Sequence, residues 1–76
     1  MSRLPQISGE KLVKALGRDG WITVSQRGSH RKLIKHHQPV GRSTVIVPIH
    51  KSLKKGTLGS ILKDAHITVE KLQKLL

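Results

Sequence analysis

The pattern of apolar and polar positions changes period twice along the chain. Leu12, Val13 and Leu16 share one helical face, and Ser8 ahead of them suits an N-cap, with Glu10 in the first turn at the positive end of the helix dipole. Ile7 before the cap and Leu12 at the fourth helical position are spaced for a hydrophobic staple. Gly17 and Gly20 supply a stop, so the first predicted element is a helix from Ser8 to Arg18. From Trp21 the texture becomes β-branched. Trp21–Ser25 reads as a strand, Gln26–Ser29 as a turn, and His30–His36 as a second strand. His37–Arg42 breaks the pattern with Pro39 and Gly41, and Ser43–Ile49 forms a third strand. Pro48 cannot donate to a ladder, which places it at a sheet edge or strand end.

Helical spacing then returns. Leu58, Ile61, Leu62 and Ala65 follow the rule of a buried face, with Thr57 after Gly56 as the expected N-cap. His66 ends that helix. Thr68 caps a short last one carrying Val69, Leu72, Leu75 and Leu76. Three strands joined by short turns make an antiparallel meander. The predicted architecture is α+β, in the order α-β-β-β-α with a short extra C-terminal helix, the helices lying on one sheet face and the other left to solvent or a ligand.

Length restricts the chain to one domain, residues 1–76, with only about 60% of the unfolded surface available for burial. Cysteine is absent and Trp21 is the sole aromatic, so aliphatic packing must hold the fold without disulfides or thiolate metal sites. No apolar run approaches the roughly 20 residues of a membrane span, and Met1–Pro5 lacks the apolar stretch of a signal peptide. These features lead to the expectation of a cytoplasmic protein with no membrane partner. Charge changes the picture most. Fifteen Lys and Arg against four acids give a net +11, a self-repulsion that a polyanion would relieve. Nucleic acid is the commonest polyanionic partner, bound through its phosphates.

The opening helix running into Gly20-Trp21, the triplet Gly28-Ser29-His30, and Val47-Pro48-Ile49-His50 followed by Leu53-Lys54-Lys55-Gly56-Thr57-Leu58 and Ile61-Leu62-Lys63 together resemble the HicA toxins of bacterial toxin–antitoxin pairs. The resemblance runs from about Ile7 to Leu72. It implies a fold similar to a double-stranded-RNA-binding domain and metal-independent endoribonuclease activity on mRNA. It also implies a catalytic histidine at the Gly-Ser-His position, here His30, and neutralisation by a HicB-type antitoxin. Two departures stand out: Leu33 where such proteins often carry an aromatic residue, and His66 where a helix-ending glycine is usual.

The residue types around His30 suit that chemistry. Metal-free RNA cleavage needs the 2′-hydroxyl deprotonated, the phosphorane charge stabilised and the 5′-oxygen protonated. Histidine as a residue type titrates near neutrality and serves the proton steps. Arg27, Arg31 and Lys32 are candidate partners for the non-bridging oxygens. Gly28 and Ser29 leave the backbone open to a phosphate, and Ser29 adds a hydroxyl. Lys51, Lys54 and Lys55 are candidate phosphate contacts, and His50 is the second choice for a functional histidine. His36 and His37 are neighbours whose side chains point to opposite faces, ill suited to chelation. His36 shares a face with His30 but lies roughly 20 Å along an extended strand, beyond a proton relay. The four acids are scattered, so no metal or other cofactor is expected. Strand parity leaves the orientation of His30 open, since both faces of His30–His36 mix basic and apolar residues. Leu33 as the core anchor would turn His30 outward.

With one aromatic residue there is no platform for stacking several bases, so weak sequence preference is expected. Two other readings stand beside the toxin ribonuclease: a non-catalytic RNA-binding module of the same fold, and a DNA-binding protein, the latter disfavoured because no helix reads as a recognition helix.

Overall fold

The computed structural model describes residues 3–76; Met1 and Ser2, the first two residues of the segment read as lacking a signal peptide, lie outside the described residues. The order is α1 (Gly9–Arg18), β1 (Ile22–Arg27), β2 (His30–His36), β3 (Arg42–Pro48), α2 (Lys55–Ala65) and α3 (Val69–Leu75). The strands form an antiparallel sheet in the order β1-β2-β3, so the α+β architecture is as expected from the sequence.

Helix α1 starts where Ser8 Oγ accepts the backbone N–H of Lys11 at 3.1 Å, and Ile7 and Leu12 join the same core cluster, as a staple requires. It ends through Gly20 rather than Gly17. Gly20 adopts φ +99°, its N–H bonds the Gly17 carbonyl at 3.1 Å, and the Trp21 N–H bonds that of Leu16 at 3.0 Å. This is a Schellman closure with Gly20 in the left-handed position, while Gly17 remains inside the helix. Trp21 precedes β1 instead of opening it, and its ring is buried.

Helix α2 begins earlier than the sequence pattern indicates. Its N-cap is Lys54 with no side-chain cap bond, and Thr57 lies within the first turn. The start is set by docking: the Leu53 N–H bonds the Ile7 carbonyl at 2.9 Å and its side chain is buried, which delivers the next residues straight into the helix. The end is as predicted, with His66 in the left-handed region at φ 57°. Helix α3 is capped by the Thr68 hydroxyl, which accepts from Lys71 N–H at 3.1 Å.

The core lies between the helices and the β2–β3 half of the sheet. Leu33, Val45 and Val47 face Leu12, Leu16, Leu58, Ile61, Leu62 and Leu72, together with Trp21. Every residue of β1 is exposed, because no helix covers that strand. On its helix-facing side, β2 therefore meets the margin of the core. Arg31 and Lys35 flank Leu33 there and reach across to α1: Arg31 Nη2 lies 2.8 Å from Glu10, and Lys35 Nζ 3.0 Å from Asp19. This is why the sequence shows no clean alternation in His30–His36.

Candidate active site

The Gly28-Ser29 turn aims the site. Arg27 pairs directly with His30 across a two-residue loop, and Gly28 takes φ +56° at its first position, the conformation such a turn reserves for glycine. The turn is then tied to the end of β3, with the Ile49 N–H donating to the Ser29 carbonyl at 2.6 Å. The same segment receives α1, since the Gly9 N–H bonds the His50 carbonyl at 2.9 Å. Turn, strand end and helix start are thus fastened to one another beside His30.

Leu33 is 1% exposed in the core. The period of two along β2 therefore turns His30 to the opposite, helix-free face. Cross-strand register lays that face out in rows: Arg27–His30–Pro48, then Ser25–Lys32–Ile46, then Ile22–Ile34–Thr44. A hollow of about 320 Å³ is lined by Ser25, Arg27, His30, Lys32 and Ile46. The strands contain no acidic residue. All four acids lie on or at the ends of helices, so no strand residue offsets the positive charge of the open face; Asp64 of α2 borders it at the β3 edge, in a hollow shared with Thr44 and Ile46.

Of the residues singled out in the sequence, the structure gathers His30, Arg27 and Lys32 around this hollow, beside the Gly28-Ser29 turn. Arg31 is elsewhere: on the helix side, 22% exposed, paired with Glu10 and donating through Nε to Gln26 Oε1 at 2.8 Å. His50 and Lys51 are exposed in the segment after β3. Lys54 and Lys55 line a separate hollow of about 450 Å³ with Arg3, Leu4, Pro5, Gln6, Ser52 and Leu53. His36 occupies the open face at the far end of β2, opposite Arg42. His37 contacts Ser43 Oγ through Nε2 at 2.7 Å.

Two lining residues, Ser25 and Ile46, escape sequence reasoning. A β-bulge at Val24, between the Thr23 and Ser25 pairings, breaks the parity of β1 and brings Ser25 opposite Lys32. Ile46 was legible in principle, as the residue between two core valines. Among the described residues no three His, Asp or Glu side chains gather as a metal site, and no helix is long and apolar enough to cross a membrane.

One titratable group away from the hollow is perturbed. Burial of Asp19 pushes its carboxyl up, but hydrogen bonds and charge from Lys71 and Lys35 outweigh it and hold the group below its ordinary value. The Asp19 carboxylate thereby joins the end of α1 to β2 and α3.

Compared with known proteins, residues 9–67 match a family model described as the HicA toxin of bacterial toxin–antitoxin systems. No curated protein gives a significant match.

Proposed function

The chain belongs to the HicA toxin family, the match covering most of its length, and on that premise we propose that it is the toxin ribonuclease of a toxin–antitoxin pair, cutting mRNA with His30 as its catalytic residue. The observation that carries this reading is the position of His30: exposed, on an acid-free sheet face, in a hollow shared with Arg27 and Lys32.

The reaction is transesterification. The 2′-oxygen attacks the phosphorus, the bond from phosphorus to the 5′-oxygen breaks, and a 2′,3′-cyclic phosphate and a 5′-hydroxyl result. His30 moves one of the two protons, either from the 2′-hydroxyl or to the leaving oxygen, and water or a second group moves the other. Arg27 and Lys32 hold fixed positive charge toward the non-bridging oxygens, where negative charge develops in the transition state. No step calls for a metal. A protein of complementary acidic charge, the HicB-type antitoxin, silences the site by covering this face, and binding of RNA is steeply salt-dependent.

The test is cleavage of RNA in EDTA by the wild type beside His30→Ala, with folding checked by circular dichroism. Cutting by the wild type alone supports the reading. Equal cutting by both makes His30 the wrong residue and His50 the next to replace. Binding without cutting by either leaves the RNA-binding module in its place.

A further inference from the structure

The hollow at His30 has two chemically different halves, and the ribonuclease reading uses only one. Arg27 and His30 form its cationic row, and Lys32 stands in the next row between Ser25 and Ile46. Ser25 and Ile46 complete it one row along the strands, roughly 7 Å from His30 at two residues' rise. Ile46 is 46% exposed there, and Ile22, 54% exposed, lies opposite Ile34 in the next row of the same face. Exposed aliphatic side chains grouped on one face of a strongly charged small domain mark a surface that something covers.

We infer that Ile46 and Ser25 form a nucleobase subsite adjoining His30, in which the nucleotide next to the cut bond lays its base against the branched side chain of Ile46 while its phosphate faces Arg27 and Lys32. This rests on the ribonuclease reading of His30. The layout follows that of a nucleotide, with the anion over the Arg27–His30 row and the ring against Ile46 on β3 in the next row, where Lys32 stands between Ser25 and Ile46 within reach of the phosphate. Stacking on an aromatic ring is unavailable, since Trp21, the sole aromatic, is buried in the core on the other side of the sheet. The face of a base packs on Ile46 instead. The Ser25 hydroxyl, which both donates and accepts, is placed to meet a base edge. One base in one such subsite yields a modest preference at the cut site and none further along.

The experiment maps the 5′ ends produced from an RNA of mixed sequence containing every dinucleotide step. Wild type, Ser25→Ala, Ile46→Ala, Ile46→Leu and His30→Ala are compared, with folding followed by Trp21 fluorescence. Wild type should prefer some steps over others. Ser25→Ala and Ile46→Ala should flatten the ratio between best and worst steps by roughly tenfold, and Ile46→Leu should retain it. If the wild type cuts and all Ser25 and Ile46 variants share its distribution, the subsite is refuted while the ribonuclease reading stands. A wild type that does not cut overturns both.

Discussion

Gly9, the first residue of α1, packs its backbone against Pro48 at the end of β3 with no room for a side chain: a Cβ there would run into the Pro48 carbonyl oxygen and the Ile49 Cα. That close approach lets the Gly9 N–H reach the His50 carbonyl, and Ile49 in turn bonds Ser29, the neighbour of His30. The start of the first helix and the candidate catalytic residue are thus two hydrogen bonds apart, through the segment Ile49–His50.

Gly9→Ala is therefore expected to destabilise the fold, although alanine is the better helix former. The obstruction is backbone, which cannot swing aside, so the cost should be about 1–3 kcal/mol, in the range of overpacked cores. Urea unfolding followed by Trp21 fluorescence measures it. Gly17→Ala, where nothing lies within 4 Å of the added carbon, is the control and should be neutral or mildly stabilising.

Arg31 and Lys32 are adjacent in sequence and on opposite sides of the sheet, so their replacement should separate stability from activity. Lys32→Ala is expected to lower kcat about tenfold to a hundredfold, less than a donor in a dry site, with stability little changed. Arg31→Ala should cut at close to the wild-type rate and lose about 0.5–1 kcal/mol, the value of a partly exposed ion pair. The reverse pattern in paired kinetic and unfolding measurements would place the phosphate contact on the wrong residue.

Asp19 makes stability depend on pH in a defined direction. Its folded pKa lies below the ordinary 3.8, so the carboxylate's contribution is fully present above that value. It is lost as pH falls through the lower, folded pKa. Asp19→Asn should cost about 1–2 kcal/mol at pH 6, between the values of exposed and buried pairs. The gap between variant and wild type should narrow from about pH 4 downward. Denaturant midpoints at pH 6, 4 and 3 provide the test.

His66 holds the left-handed position of a second Schellman closure, in which the His66 N–H bonds the Lys63 carbonyl and the Ile67 N–H that of Leu62. A side chain in that conformation costs about 1–2 kcal/mol, which glycine avoids. His66→Gly is expected to raise stability by about 1 kcal/mol, the gain trimmed by glycine's greater freedom when unfolded. RNA cleavage should be unaffected, because His66 does not line the hollow. Thermal unfolding and the cleavage assay check the two halves.

Local chemistry was enough to determine much of this protein. The caps at Ser8 and Thr68, the exact span of His30–His36, the stop at His66 and the placement of Pro48 at a strand end all follow from interactions within a few residues. Those are the interactions a sequence displays. The motif around Gly28-Ser29-His30 likewise pointed to the family. What needed the tertiary structure depends on pairing between distant segments. Helix α2 starts before Thr57 because Leu53 is anchored on Ile7, a contact no local cap competes with. Lys32 rather than Arg31 accompanies His30 because packing of Leu33 chooses the face of a strand whose own pattern is balanced. Ser25 enters the hollow because a bulge at Val24 shifts one strand against another. Residue type decides which side chains can handle a phosphate; register and the packing of one leucine decide which of them meet.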